Sequence, residues 1–245
     1  MTQALDFIQP NWPAPKNVKC LSTIRTGGVS LAPYDALNLG LHVADNIEHV
    51  QLNRQRLVQY LPAQPLWLNQ IHGTHVIHTS NYKGVCDADA SFANTANQVC
   101  TVMTADCLPV LFCNTQGTQV AAAHAGWRGL LDGVLENTVN EFDQADQVMA
   151  WLGPAIGPDV FEVGQEVKDA FTTQNPACAV CFKPSNNAKK WLADLYSLAR
   201  VRLLAAGVKR VYGGEFCTFT DESRFFSYRR DGVTGRMASC IWLAE

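Results

Sequence analysis

Residues 104–129 read TADCLPVLFCNTQGTQVAAAHAGWRG, two apolar runs separated by the turn-forming segment NTQGT. Apolar runs of this length on either side of a short polar turn are typical of two buried antiparallel strands. The segment therefore predicts a β-hairpin in the core of an α/β fold. Cys107 lies at the start of its first strand and His124 at the end of its second.

The position of the turn determines which side chains face each other across this hairpin. A turn centred on Thr115 and Gln116 places Cys107 opposite His124, and opposed side chains have Cβ atoms about 5 Å apart. A register shift by one residue would send one of the two side chains to the other face of the sheet. We therefore predict that Cys107 and His124 lie on adjacent strands and share a face.

A cysteine beside a histidine has two chemical uses. Thiolate and imidazole can bind a divalent metal together, or the imidazole can deprotonate the thiol to give a nucleophile. Both residues can also belong simply to the core, since free cysteine is among the most buried residue types. His72, in the segment NQIHG, follows an apolar segment and precedes a glycine. With it the set becomes a His₂Cys site with one open position, the pattern of a catalytic zinc site.

The composition of the 245-residue chain favours one α/β domain with a substantial core. The net charge is -3, so we expect neither nucleic acid nor an anionic membrane as a partner. Residues 1–17 lack the character of a secretory signal and are interpreted as an extension of a domain over 1–245. Nine cysteines, an odd number, indicate reduced thiols in the cytoplasm rather than a disulfide framework. The oligomeric state is not predicted.

Hydrophobic periodicity predicts interleaved helices and strands, and hence a mixed sheet flanked by helices. Helices are predicted from a cap at Asp45 or Asn46 to about 61, over 129–142 and over 191–207. Strands are predicted over 18–25, 66–70, 75–79, 99–106, 109–113, 118–124, 147–153, 210–213, 225–229 and 238–243.

Three segments carry residues suited to an anion. RTGGVS joins Arg25 to Gly27 and Gly28, whose backbone N–H groups could bind phosphate, although an ordinary turn has the same composition. Arg128 lies just beyond the hairpin and opens a helix, a position that favours anions. Arg229 belongs to FFSYRRDGVTGR, which could cover a ring and bind an acidic group, or could lie on a solvated edge.

Other polar residues near these segments have less specific interpretations. Asp106, beside Cys107, is a candidate proton carrier or a hydrogen-bonding group at the end of the hairpin. His42, in the segment LGLHVAD, could approach the cleft, but a loop histidine with satisfied hydrogen bonds is the favoured interpretation. The CxxC segment 178–181 has no second cysteine pair and is followed almost at once by Pro184, so it lacks the context of a redox motif and is interpreted as structural.

Assembled in order, several segments resemble the YfiH family, also called the laccase-domain or multicopper polyphenol oxidoreductase family. They are TIRTGGVSLAPYDALNLGLHVAD, NQIHG, TADCLPV, AAAHAGWRG, WLGPAIGP, FEVG, FCTF and FFSYRRDGVTGR. The resemblance extends from about Val18 to the C-terminus. It implies an α/β/β/α-like single domain, similar to the catalytic domain of cytotoxic necrotizing factors. It also implies a zinc ion bound by His72, Cys107 and His124.

The resemblance further implies a purine nucleoside enzyme. Family members are described as cleaving adenosine, inosine or methylthioadenosine with phosphate, and as deaminating adenosine. An older description makes them copper-dependent polyphenol oxidases, and some are linked to editing of peptidoglycan precursors. Six histidines without HxH pairs cannot build the several copper sites of a multicopper oxidase, although one copper ion could bind the His₂Cys site.

We therefore expect a zinc-dependent enzyme of purine nucleosides and phosphate, with His72, Cys107, His124, Asp106 and Arg128 as catalytic residues. The alternatives are a laccase-like copper oxidase and a metal-free Cys–His hydrolase acting on an amide. A binding protein with structural zinc is a further alternative, but such a site would normally have four protein ligands.

Overall fold

The computed structural model describes residues 4–82, 84 and 86–245. Within these residues the strands are β1 Phe7–Ile8, β2 Val18–Thr23, β3 Val76–His78, β4 Ala90–Ala93, β5 Cys100–Thr104, β6 Leu108–Asn114, β7 Val120–Ala125, β8 Val148–Leu152, β9 Glu162–Gly164, β10 Phe182–Pro184, β11 Lys190–Ala193, β12 Arg210–Gly213 and β13 Met237–Leu243. The α-helices are α1 Ile47–Val58, α2 Trp127–Asp132, α3 Val134–Val139, α4 Gln165–Gln174, α5 Leu195–Ala205 and α6 Tyr228–Asp231.

The strands form a large mixed sheet and two antiparallel sheets. The mixed sheet has six strands in the order β12-β8-β6-β7-β4-β3, and the pairs β12–β8 and β3–β4 are its parallel neighbours. The second sheet has four strands in the order β1-β2-β13-β5, and the third has three in the order β10-β11-β9.

The two larger sheets pack face to face between helical layers. Alternate side chains of β6 pack on opposite faces of the six-stranded sheet, because successive side chains of a strand point to opposite faces. Leu111 packs toward the four-stranded sheet, beside Val102 and Ile241, whereas Phe112 packs toward the helices. The outer face of the four-stranded sheet is covered by α1, through Leu57. The layers therefore follow the order helix, sheet, sheet, helix, and the predicted fold class is confirmed.

Local signals explain where the predicted helices begin and end. Asn46 caps α1, since its side chain accepts from the N–H groups of Glu48 and His49, and the predicted helix is confirmed. The continuous helix predicted over 129–142 is wrong, because Gly133 has φ 104 and separates α2 from α3. The helix predicted over 191–207 begins only at Leu195.

Tertiary pairing decides that late start. Residues 190–192 pair with β9, so the first residues of the predicted helix form a strand instead. The side chain of Asp194 then accepts from the N–H of Ser197 and begins α5. Long-range strand pairing has overridden a local helical pattern here, as tertiary context commonly does.

Two predicted strands are wrong for related reasons. The segment 66–70 contributes only an isolated bridge between Asn69 and Asp87, although Leu66 and Leu68 are buried. In the segment 225–229, Phe225 and Phe226 are fully buried, but the chain turns directly into α6. Aromatic burial in a loop cannot be distinguished from a strand by composition alone.

The remaining observations concern the chain start, the cysteines and the helices. Phe7 pairs with Thr23, so part of the predicted N-terminal extension belongs to a sheet. All nine cysteines are free, and Cys178 and Cys181 are buried. Among the described residues, no helix combines the length and the apolar character needed to cross a membrane.

Candidate active site

The β6–β7 hairpin has a register that differs from the predicted one by two residues. Pro109, and not Cys107, is the Cα partner of His124. The turn is centred one residue later than predicted, because Gly117 has φ 68 and donates its N–H to the carbonyl oxygen of Asn114. The prediction of direct opposition is therefore wrong. Cys107 directly precedes β6 rather than lying in it, and the even shift leaves Pro109, two residues after Cys107, opposite His124.

Cys107 and the two predicted histidines nevertheless converge. The ligand atoms of His72, Cys107 and His124 lie within 4.8 Å of one another, and we call these residues the trio. Cys107 Sγ is 3.7 Å from His72 Nε2, and the two imidazole centroids are 4.8 Å apart. His124 is buried, Cys107 is partly buried and His72 is exposed, so the trio opens to solvent on one side.

His72 is held in an unusual backbone conformation by a buried carboxylate. Its φ is 61, in the left-handed region that costs a non-glycine residue free energy. The carboxylate of Asp89 accepts from the backbone N–H groups of Ile71, His72 and Gly73 at 3.1, 3.0 and 2.6 Å. Asp89 is 0% exposed, so these bonds form in a low-dielectric environment that strengthens them.

The same carboxylate orients the second histidine. His124 Nδ1 lies 2.7 Å from Asp89 Oδ1, and an ionised carboxylate only accepts hydrogen bonds, so Nδ1 carries the proton. Burial raises the pKa of Asp89, but the hydrogen bond and charge of His124 and the backbone hydrogen bonds from Gly73 and Ile71 together lower it below its usual value. Nε2 of His124 is left free to face Cys107. One buried residue thus positions both histidines of the trio.

Charge in the trio favours a thiolate. Burial raises the pKa of the Cys107 thiol, but the neighbouring charges of His124 and His72 and their hydrogen bonds lower it to about 6. Burial lowers the pKa of His124, whereas the Cys107 charge and the hydrogen bond to Asp89 raise it to about 9. A deprotonated cysteine is both a metal ligand and a nucleophile.

The donor set fits a zinc ion. Zinc is bound by Cys sulfur at about 2.3 Å and by His nitrogen at about 2.0–2.1 Å, so tetrahedral ligand atoms are separated by roughly 3.3–3.6 Å. The spacing of 3.7 Å between Cys107 Sγ and His72 Nε2 approaches that range. Gly126 is also required, because a Cβ there would lie 2.7 Å from His72 Cδ2 and 3.1 Å from Cys107 Sγ.

Two cavities meet at the trio. The large cavity has a volume of about 380 Å³ and is lined by His42, Gln70, His72, Met103, Thr104, Ala105, Cys107, His124, Tyr228 and Arg236. The small cavity has a volume of about 250 Å³ and is lined by Ala105, Asp106, Cys107, Trp127, Arg128, Ile156, Phe161, Leu195, Tyr228 and Arg229. Ala105, Cys107 and Tyr228 line both cavities, so both reach the trio at Cys107.

The structure brings two of the predicted anion-binding residues to the small cavity. Arg128 is exposed, and its guanidinium lies 4.3 Å from the centroid of the Trp127 ring. Arg229 lies over Phe161 and donates from Nη1 to the carbonyl oxygen of Glu162 at 2.9 Å. Both guanidinium groups therefore lie beside aromatic rings at the cavity wall.

Asp106 occupies a buried hydrogen-bonding position. Its Oδ1 accepts from the hydroxyl of Thr218 at 2.6 Å, and its Oδ2 accepts from the backbone N–H of Arg229 at 2.7 Å. These contacts tie the start of the hairpin to the segment around α6. They favour the hydrogen-bonding interpretation of Asp106 over proton transfer, since both carboxylate oxygens are engaged.

Arg25, Gly27 and Gly28 line neither cavity. Arg25 donates from Nε to the carbonyl oxygen of Asp35 at 3.0 Å and from Nη1 to that of Glu222 at 3.1 Å. A Cβ on Gly28 would lie 2.1 Å from the carbonyl oxygen of Ala36. The RTGGVS segment is thus packed against neighbouring loops.

Sequence reasoning missed Asp89 and Arg236, and it gave approach to the cleft only as the less favoured interpretation of His42. Asp89 lies in the segment DADAS, and an acid directly before strand residues is a usable signal for a buried carboxylate. Arg236 was one of several arginines in a basic segment. His42 lines the large cavity, so the structure favours the interpretation in which it approaches the cleft.

Comparison with known proteins accounts for these motifs. Residues 19–244 match the family model described as multi-copper polyphenol oxidoreductase laccase. The chain belongs to this family. It is 55% identical over 241 residues to the purine nucleoside phosphorylase YfiH of Escherichia coli, covering 97% of this chain and 98% of that protein.

Other proteins resemble this chain in sequence or in fold. A purine nucleoside phosphorylase of Pseudomonas aeruginosa is 52% identical over 240 residues, covering 98% of this chain and 99% of that protein. The crystal structure of Neisseria meningitidis protein NMB0706 superimposes with a TM-score of 0.93 at 54% identity, covering 98% of this chain and 99% of that one. YlmD of Geobacillus stearothermophilus does so with a TM-score of 0.92 at 30% identity, covering 100% and 98%.

Proposed function

We propose that this protein is a zinc-dependent purine nucleoside phosphorylase that cleaves adenosine, inosine or methylthioadenosine and also deaminates adenosine. The observation that carries the proposal is a three-ligand site, His72, Cys107 and His124, that lines the large cavity and borders the small cavity at Cys107. A catalytic zinc site has three protein ligands and an open position for a reactant. The names of relatives at 52–55% identity support the choice of reaction.

The zinc ion would supply Lewis-acid activation of a bound reactant. In phosphorolysis a phosphate oxygen forms a bond to C1′ of the ribose, the bond from C1′ to the purine nitrogen breaks, and the free base takes up a proton. The chain's own residues hold the two reactants against each other in this proposal. Copper is the alternative ion, because it binds His and Cys donors more tightly than zinc does.

The small cavity is the proposed phosphate site. Arg128 and Arg229 lie at its wall, and guanidinium groups bind phosphate through charge-assisted hydrogen bonds. The large cavity, with Met103 and Tyr228 in its lining, is the proposed site of the nucleoside. Because the cavities share Cys107, the two reactants would meet at the trio. The free state of all nine cysteines supports action in a reducing compartment, which we propose to be the cytoplasm.

A second candidate function is a Cys–His–Asp hydrolase acting on an amide. It is favoured by the arrangement in which Asp89 orients His124 while His124 lowers the pKa of Cys107, since nucleophile, base and orienting group act in this way in hydrolases. The thiolate would attack the amide carbon, His124 would protonate the leaving amine, and water would cleave the resulting thioester.

A multicopper oxidase has less support. Such enzymes need several copper sites, and the described residues contain one cluster of three or more metal-binding side chains, the trio. Oxidation at a single copper ion is the form of this alternative that the residues could support.

The test combines metal analysis with a phosphate-dependent assay on the purified protein. We expect about one zinc per chain and release of the free base only when phosphate is present. Cys107→Ala should lose metal and activity together, whereas Cys86→Ala, the same change outside the trio, should keep both. Base release without phosphate would overturn the phosphorylase proposal. Full metal content with no activity in Cys107→Ala would instead favour the hydrolase.

A further inference from the structure

The large cavity contains an arginine whose hydrogen-bonding capacity is only partly used. Arg236 directly precedes β13 and donates from Nη1 to the carbonyl oxygens of Thr234 and Gly235, at 3.1 and 3.0 Å. A guanidinium carries five N–H donors. Among the described residues, the Nε–H and Nη2–H groups of Arg236 have no acceptor.

Other arginines in this fold are satisfied differently. Arg230 uses Nε, Nη1 and Nη2 to reach the carboxylate of Asp231 and three backbone carbonyls, and Arg25 likewise uses all three nitrogens. Within the described part of the chain no carboxylate forms an ion pair with Arg236. The charges of Cys107 and Asp106 act on Arg236 from nearby, but neither side chain forms a hydrogen bond with it, so a bound anion would supply acceptors for the unused N–H groups.

The backbone fixes Arg236 at the cavity wall. Its N–H donates to Asn38 Oδ1 at 2.9 Å, and its carbonyl oxygen accepts from the N–H of Leu39 at 3.1 Å. The side-chain stem packs on Gly40, where an added Cβ would lie 2.9 Å from Arg236 Cγ. The guanidinium is therefore held by the fold before any ligand arrives.

His42 completes the same wall. Its Cε1 would lie 3.4 Å from that added Cβ on Gly40, so His42 and Arg236 are neighbours across this glycine. Burial and the nearby Arg236 charge lower the pKa of His42, which leaves a neutral imidazole with one N–H donor at pH 7. Both side chains line the large cavity together with the trio.

We propose that Arg236 and His42 form an oxyanion-binding site in the large cavity, which binds a phosphate group. It lies in a different cavity from Arg128 and Arg229, and the two cavities adjoin at Ala105, Cys107 and Tyr228. The site goes beyond the phosphorolysis proposal, whose phosphate is bound by Arg128 and Arg229, and it can exist without that reaction. The phosphate group can be inorganic phosphate or the 5′-phosphate of a nucleotide, because both present the same oxygen acceptors to the guanidinium fork.

The test measures binding of inorganic phosphate by titration calorimetry. Arg236→Gln should weaken one phosphate-binding event at least tenfold, and Arg128→Gln should leave that event unchanged. Arg210→Gln, an exposed arginine on β12, is the matched control and should bind phosphate like the unmodified protein. A titration of Arg236→Gln that matches the unmodified protein would overturn the proposal.

Two further variants separate recognition from folding. Arg236→Lys keeps the charge but loses the planar fork, and it should bind phosphate with intermediate affinity. Gly40→Ala displaces Arg236 and His42 without removing either group, and it should also weaken phosphate binding. If Arg236→Gln has a lowered melting temperature, the other two variants test the proposed site in its place. Normal phosphate affinity in both a folded Gly40→Ala and a folded Arg236→Lys would contradict the site.

The source of the phosphate group is decided by comparing inosine with inosine 5′-monophosphate. Tighter binding of the nucleotide by tenfold or more, lost in Arg236→Gln, would assign the site to a phosphate carried by the ligand. Equal binding of inosine and the nucleotide, together with the Arg236-dependent titration of inorganic phosphate, would assign the site to free phosphate.

The two arginine variants also separate this proposal from the phosphorolysis proposal. If only Arg128→Gln weakens phosphate binding, the oxyanion site fails while phosphorolysis stands. If only Arg236→Gln does so, the phosphate role of Arg128 fails instead.

Discussion

The two ends of the β6–β7 hairpin are held in place by different kinds of interaction. At the turn end the bonds are local: Asn114 accepts on its side chain from the N–H groups of Thr118 and Gln119, and Gly117 donates back to Asn114. At the trio end the bonds come from distant segments. Asp89 accepts from His124 and from the loop that carries His72.

This difference determines which end could be predicted. Local bonds depend on residues a few positions apart, so a glycine and an asparagine between apolar runs are sufficient to predict a turn. The trio end depends on Asp89, which lies 35 residues before His124, and spacing in the sequence carries no signal for such a contact. We therefore expect substitutions at the trio end to alter chemistry and those at the turn end to alter only stability.

The largest effect is expected for Asp89→Ala. The change removes the acceptor of three backbone N–H groups and of His124, and it leaves these buried donors unpaired. Loss of one partner of a buried ionic network costs about 3–5 kcal/mol, and we expect a loss of that size in the free energy of unfolding, measured with denaturant.

A neighbouring carboxylate provides the control. Asp87 is exposed, bonds to Asn69 Nδ2 at 2.6 Å and does not contact the trio, so Asp87→Ala should cost less than about 1 kcal/mol. Asp89→Asn is the milder test and should lower metal affinity about 10- to 100-fold, as loss of outer-shell carboxylates commonly does. Unchanged metal affinity in a folded Asp89→Asn would show that Asp89 does not position the histidines.

The next effect is expected for Gly126→Ala. An added Cβ would lie 2.7 Å from His72 Cδ2 and 3.1 Å from Cys107 Sγ, so it must push the two ligands apart. We expect at least a tenfold loss of metal affinity in competition with a chelator, at nearly unchanged melting temperature. Gly73→Ala is the matched control, since its Cβ would make only ordinary contacts, the nearest at 3.5 Å. Equal metal affinity in both variants would contradict the assigned geometry.

The residues of the trio could be identified from the sequence because its three segments carry recognisable motifs. The geometry of the trio was not predicted correctly. The predicted register placed Cys107 directly opposite His124, and the observed pairing of Pro109 with His124 differs by two residues. The error was harmless because side chains alternate with a period of two along a strand. The layered fold was likewise implied by motif resemblance, whereas residues 191–193, which pair with β9 and β10, were predicted as helix.

A smaller effect is expected for Arg128→Ala, at the mouth of the trio end. If Arg128 binds phosphate in the small cavity, its loss removes a charge-assisted hydrogen bond, commonly about 1.5–3 kcal/mol. Phosphate use should fall about tenfold to a hundredfold, while metal content stays unchanged because arginine is not a ligand.

Deamination provides the internal comparison for this variant, since it uses water and no phosphate. Adenosine deamination should fall less than phosphorolysis, and Arg128→Lys should recover part of the phosphate use. Equal losses in both reactions together with a lower melting temperature would assign Arg128 a structural role.

The smallest effect on chemistry is expected at the turn end, for Gly117→Ala. Gly117 has φ 68, and an added Cβ would lie 2.5 Å from Asn17 Oδ1 and 2.8 Å from Pro15 Cβ. A left-handed backbone costs a non-glycine residue roughly 1–2 kcal/mol, so the free energy of unfolding should fall by about that amount. Gln116→Ala, in the same turn but exposed, should change it by less than about 0.5 kcal/mol. Metal content and activity of Gly117→Ala should remain normal at temperatures where it is folded, because the trio is held by Asp89 and not by the turn. A loss of metal in this folded variant would show that the two ends of the hairpin are coupled through its strands.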